Sequence, residues 1–156
     1  MFDNKELMRV VRGQFALEWK GIHGLPHWSR VRLNGLLLAE ATGARRDVVK
    51  LFALLHDSRR LNDGHDPLHG ARAAEFAQSL VGSVFDLDPH DLDLLLAACR
   101  GHSDGLTVGD VTILTCWDAD RLDLGRIGIK PDPARLCTEA AREPAMLEGA
   151  YARSLK

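Results

Sequence analysis

Among seven histidines and many aspartates, one pair stands where chemistry is most expected: His56-Asp57. It closes the apolar run Val48-Val49-Lys50-Leu51-Phe52-Ala53-Leu54-Leu55. Such a run predicts a helix buried nearly all round, where an ionisable pair is costly unless something compensates it. A divalent cation does so, because neutral imidazole nitrogen and carboxylate oxygen are its natural ligands. Adjacent helical residues point about 100° apart, so both reach one ion only at a helix end or with the ion between their two directions. Taken alone, the dipeptide reads as a helix C-terminus carrying a solvated His-Asp. The rest of the chain shifts that balance.

Helix punctuation sets the elements that position these groups. Asp66-Pro67, Asp88-Pro89 and Asp132-Pro133 each precede a helix-compatible stretch, with Asp suited to the N-cap and Pro to the first helical position. Thr107 with Asp110 resembles a capping box opening the run Val108–Leu124, and Gly43 and Gly101 fall where two helices should stop. The pattern predicts helices near 4–20, 27–42, 46–57, 67–81, 89–100, 108–125, 133–142 and 144–154. Strand-like alternation is confined to short ambiguous runs such as Val111–Cys116, so the fold class is all-α. On this map His27 begins a helix, His56-Asp57 ends one, His69 lies in a first turn, His102 follows Gly101 and Asp120 sits late in a helix. Helix ends converging on one cavity make a polar site walled by an apolar bundle.

The order His27 … His56-Asp57 … His69 … His102 … Asp120 resembles the metal-dependent phosphohydrolases of the HD-domain superfamily. The surrounding words strengthen the resemblance: His27-Trp28-Ser29-Arg30-Val31, Leu54-Leu55-His56-Asp57-Ser58 and His69-Gly70. Strongest is Asp118-Ala119-Asp120-Arg121-Leu122-Asp123, similar to a stretch of small bacterial HD hydrolases. It spans roughly residues 23–130 of one HD-type helical bundle of seven or eight helices over 1–156, with an unassigned helical tail at 131–156. The resemblance implies that His27, His56, Asp57 and Asp120 bind the principal divalent ion. His69 and His102 match positions that hold a second ion in two-metal members, with Asp57 bridging. Here His102 is followed by Ser103 where such members often pair histidines. One ion or two are therefore expected, and nitrogen and oxygen ligands alone admit manganese, nickel, cobalt, iron, magnesium or zinc.

Asp118 and Asp120 lie about 200° apart around a helix and cannot face the same ion. Both faces carry apolar neighbours, so periodicity does not choose; the family places its ligand immediately before Arg-Leu, which favours Asp120. Asp118 then stands behind the ligands or pairs with a base. His65, in the turn Asn62-Asp63-Gly64-His65-Asp66, reads as solvated or substrate-facing, His23 as a loop histidine and His90 as surface. Of the basic residues Arg30, Arg59, Arg60, Arg121 and Arg126, the first three are the candidate phosphate contacts, Arg59 and Arg60 foremost because they directly follow the doublet. Trp28 and Trp117 read as packing.

These readings imply hydrolysis of a phosphate ester or anhydride in a nucleotide or another small phosphorylated metabolite, the ion lowering the pKa of the attacking water. The alternatives are an HD-fold di-iron oxygenase and a catalytically silent module that holds nucleotide or metal. The chain has 156 residues, 46% hydrophobic and 27% charged, with net charge −2, which gives no electrostatic case for bulk binding to nucleic acid or an anionic membrane. Met1-Phe2-Asp3-Asn4-Lys5-Glu6 lacks the basic-then-apolar order of a signal peptide, so the cytoplasm is expected. Cys99, Cys116 and Cys137 lack CxxC spacing and read as reduced core residues.

Overall fold

The computed structural model describes residues 3–156. Among them are eight α-helices and no strand: α1 (Asn4–Gln14), α2 (Leu25–Thr42), α3 (Arg46–Leu55), α4 (His69–Leu80), α5 (Pro89–Gly101), α6 (Val111–Arg121), α7 (Glu139–Arg142) and α8 (Pro144–Ser154). Short 3-10 turns occupy Leu124–Ile127 and Pro133–Arg135. The all-α class read from the sequence is the class observed. No helix among the described residues is long and apolar enough to cross a membrane.

Helix α3 is the axis of the bundle. Val48, Val49 and Leu51–Leu55 are all buried, and α2, α4, α5 and α6 pack around it. An apolar surface that wraps the whole helix must be covered on every side, which brings four helix ends toward its C-terminus. Gly35 lets α2 and α3 approach: a Cβ there would collide with the Val49 side chain.

Several boundaries differ from the sequence reading, each for a tertiary reason. Helix α1 stops at Gln14 rather than running to 20, because Phe15 turns to extended backbone. Phe15 and Trp19 then pack edge-on against Trp28, with ring centroids 5.0 and 5.3 Å from it. Helix α2 begins two residues early, at Leu25, with Gly24 as N-cap. Asp66 does not cap α4. Its carboxylate accepts from the Leu61 amide at 2.8 Å and from Arg72, and the helix opens at His69. Thr107 opens nothing; Asp110 is the N-cap of α6, accepting from the Thr112 amide at 2.7 Å.

Helix α5 does end at Gly101, although this last residue is not a left-handed glycine. Its small size serves packing, because a Cβ there would stand 2.9 Å from the Trp117 ring. Gly43 does end α2 in the left-handed region, φ 76°, as glycine without a Cβ allows. The tail predicted as helix 133–142 is broken. Asp132 and Thr138 each cap a separate short turn, and the segment between them is held by α6 as described next.

Candidate metal centre

The C-terminal end of α3 delivers His56 and Asp57, the start of α2 delivers His27, the start of α4 His69, the end of α5 His102 and the end of α6 Asp120. All six side chains meet. His27 Nε2 lies 3.1 Å from His56 Nε2, 3.1 Å from Asp120 Oδ1 and 3.4 Å from Asp57 Oδ2. His56 Nε2 is 3.4 Å from Asp120 Oδ1 and 3.5 Å from Asp57 Oδ2. On the other side, His69 Nε2 and His102 Nε2 stand 2.8 Å apart, 3.3 and 3.4 Å from Asp57 Oδ1. One carboxylate thus gives one oxygen to each of two imidazole pairs.

The second nitrogen of every ring decides what this arrangement can hold. His56 Nδ1 donates to the Phe52 carbonyl at 3.0 Å, His102 Nδ1 to the Cys99 carbonyl at 2.7 Å and His69 Nδ1 to the Asp66 carbonyl. His27 Nδ1 donates to Asp123 Oδ2 at 2.6 Å. Carbonyls and carboxylates only accept, so each Nδ1 carries the proton and each neutral Nε2 presents a lone pair. Lone pairs facing one another and the carboxylates of Asp57 and Asp120 repel unless a cation stands among them. Ligands about 2.1 Å from an ion lie ~3.0–3.4 Å from one another in octahedral or tetrahedral shells, which matches these separations. The donors fit divalent metal: His27, His56, Asp57 and Asp120 could hold one ion, and Asp57, His69 and His102 another.

Asp123 is the functional residue the sequence reading passed over. It is fully buried and its other oxygen accepts from Arg30 Nε at 2.6 Å. It therefore fixes the tautomer of His27 from behind. Its spacing of three from Asp120, which returns to the same side of a helix, was the available signal.

Asp118 takes neither role read for it. Its carboxylate turns away from the imidazoles and accepts from the Cys137 amide at 2.7 Å and from the Thr138 amide and hydroxyl, both at 2.8 Å. It anchors the tail to α6. Asp118→Ala leaves those donors without a charged acceptor and should cost about 3 kcal/mol, a fall in Tm of roughly 6–12 °C for a chain of this size. Metal content measured on the same protein should stay unchanged; loss of metal would return Asp118 to the centre.

The arginines divide. Arg60 Nε meets Asp57 Oδ1 at 3.2 Å, and its Nη1 binds the carbonyls of Asn62 and Gly64. Arg59 instead faces Gln14 at 2.9 Å and the Phe76 ring, away from the cluster, and Arg30 serves Asp123. His65 is exposed on the loop beside Arg60. His23 is 7% exposed and bonded to Asp63 at 2.7 Å, a pairing across 40 residues that no local pattern signals. His90 is exposed, while Trp28 and Trp117 are buried packing residues. Cys99 and Cys116 are buried and all three cysteines are free.

In protein stripped of metal, a proton takes the cation's part. Burial opposes charge on His27, yet its bonds to Asp120, Asp123 and Asp57 prevail and push its pKa up to about 10. Burial likewise opposes ionised Asp57 and Asp120, but His56 and the neighbouring imidazoles hold both well below the usual carboxylate range. A raised imidazole pKa stabilises the fold fully below the unfolded value of about 6.5 and ceases to as pH climbs through the folded value. The lowered carboxylates act oppositely, stabilising above about 3.9 and failing as acid is added. Chelator-treated protein should therefore lose Tm steadily from pH 7 to 10, while the metal-loaded form stays level. Equal slopes for the two forms would remove His27 from the cation site.

No family model matches the chain, and no curated protein matches it. The chain is similar to a solved structure, that of a predicted HD superfamily hydrolase from an uncultured Thermotogales bacterium, 28% identical, covering 96% of this chain and 85% of that one with a TM-score of 0.73. A helical bundle whose helix ends gather histidines and aspartates around a cation site is the architecture of a metal-centred HD fold. In fold and in its cluster of histidines and aspartates, this chain is similar to that HD superfamily protein. At that level the likeness supports a hydrolase.

Proposed function

We propose that the protein is a metal-dependent phosphohydrolase acting on phosphate esters or anhydrides of small metabolites, nucleotides foremost. The observation that carries this reading is the division of Asp57 between two pairs of imidazole lone pairs. Divalent ions bound there supply Lewis-acid stabilisation of charge developing on a transferred phosphoryl group and a water of lowered pKa.

The chain's own groups do the rest. Asp123 keeps the His27 ring in one tautomer. Asp120, with 17% of its side chain open to solvent, is the most accessible of the six converging residues and marks the side from which substrate enters. Arg60 is pinned by two carbonyls through Nη1, which leaves Nη2 for a phosphate oxygen. It is the phosphate contact beside the converging residues, since Arg59 faces Gln14 and the spare donors of Arg30 line a separate cavity. His65, exposed on the same loop, is placed to exchange protons with solvent.

The test is phosphate release from a panel of nucleotides and sugar phosphates with manganese, nickel, cobalt, iron, magnesium and zinc in turn. Release with at least one metal, abolished by chelator, is expected. Oxygen-dependent turnover with two bound irons, or nucleotide binding without product under every metal, would overturn the proposal.

A further inference from the structure

A second polar cavity of about 470 Å³ lies outside the metal cluster, lined by Lys20, Ile22, Pro26, Arg30, Arg126, Leu155 and Lys156 with three small residues. No Asp or Glu side chain and none of the six converging residues lines it. Four cations face one volume, and two of them are built in rather than merely exposed: the Arg30 side chain is 21% open and that of Arg126 10%.

Their hydrogen bonds fix them and leave donors to spare. Arg30 is held at Nε by Asp123. Arg126 is held at Nε by the Ile22 carbonyl at 2.8 Å and at Nη1 by the Asp123 carbonyl at 2.6 Å. Among the described residues, no protein acceptor meets either terminal nitrogen of Arg30 or Nη2 of Arg126. Converging, partly desolvated guanidinium donors suit the tetrahedral oxygens of a phosphate group. Ile22, Pro26 and Leu155 add apolar lining to the same cavity, which favours an organic body on that phosphate over the inorganic ion.

We propose that this cavity is an effector site for a phosphomonoester, coupled to the metal cluster through Arg30, Asp123 and His27. Arg30 is shared between the cavity and Asp123. Phosphate that draws on the guanidinium leaves more of the Asp123 charge on His27 and strengthens it as a ligand; groups behind metal-binding histidines change affinity by about 10–100-fold when altered. The coupling rests on His27 being a ligand; the site itself does not rest on the hydrolase reading.

Calorimetry of ribose 5-phosphate, adenosine monophosphate and inorganic phosphate into metal-loaded protein tests the site. The comparison is with the double variant Lys20→Glu, Lys156→Glu, both exposed side chains of the cavity rim. The organic phosphates should bind at least threefold more tightly than inorganic phosphate, and the variant should weaken them tenfold or more with metal content unchanged. Saturating ribose 5-phosphate should slow metal transfer to a chelator at least threefold in the wild type and not in the variant. Unaltered binding in the variant, or chelator transfer indifferent to the sugar phosphate, would overturn the effector site while leaving phosphate release from substrates untouched as a separate measurement.

Discussion

Asp57→Ala is expected to abolish metal retention at both halves of the cluster, because no other residue gives an oxygen to each. Removing a ligand from one half only, as in His69→Ala, should lower the metal content without emptying the site. The asymmetry is the informative part. Loss of metal-derived charge stabilisation of about 4 kcal/mol corresponds to ~10³-fold in rate, so Asp57→Ala should fall at least that far in phosphate release. The variant also leaves four imidazole lone pairs without their shared carboxylate, and Asp57→Asn, which keeps the volume, separates lost charge from lost packing. Metal content at the wild-type level in either variant, measured by elemental analysis, would refute the bridging role.

Asp123→Ala should be the most damaging change outside the converging residues. It strips His27 Nδ1 of its acceptor and leaves Arg30 facing a void where a carboxylate stood. Removing one partner of a buried ion pair typically costs 3–5 kcal/mol; since one-fifth of the Arg30 side chain is open to water, about 3 kcal/mol is expected. Freed to rotate or to switch tautomer, His27 should bind metal about 10–100-fold more weakly. Tm and a metal competition titration read the two effects separately. Arg30→Ala on its own should lower Tm but change metal affinity less, because Asp123 still orients the ring. Equal metal affinity in Asp123→Ala and wild type would show that packing alone holds His27.

These two residues mark how far the sequence could be read. The all-α class followed from punctuation and periodicity, and the buried run before His56 identified the central helix, because a helix apolar on every side has one place to go. The gathering of His27, His56, Asp57, His69, His102 and Asp120 was legible through the resemblance of their order to that of HD-superfamily hydrolases. What escaped was set by contacts between distant segments. Helix α1 ends early because an aromatic cluster with Trp28 claims Phe15 and Trp19. Asp66 looked like a cap and serves an arginine. Gly101 does end its helix, but its second role, as a seat for Trp117, had no local signal. Asp118 and Asp120 were indistinguishable by periodicity because both faces of α6 are covered, one by the metal cluster and the other by the tail that Asp118 binds. Arg59, two residues past Asp57, faces Gln14 and Phe76 instead.

The most direct measurement is anomalous diffraction from crystals grown with manganese, combined with a calorimetric metal titration. Two ions bridged by Asp57 are expected. The one between His27, His56, Asp57 and Asp120 should load first, since two carboxylates serve it while Arg60 stands beside the Asp57 oxygen of the other. No anomalous peak among these six side chains, or an ion bound without Asp57, would contradict the assignment.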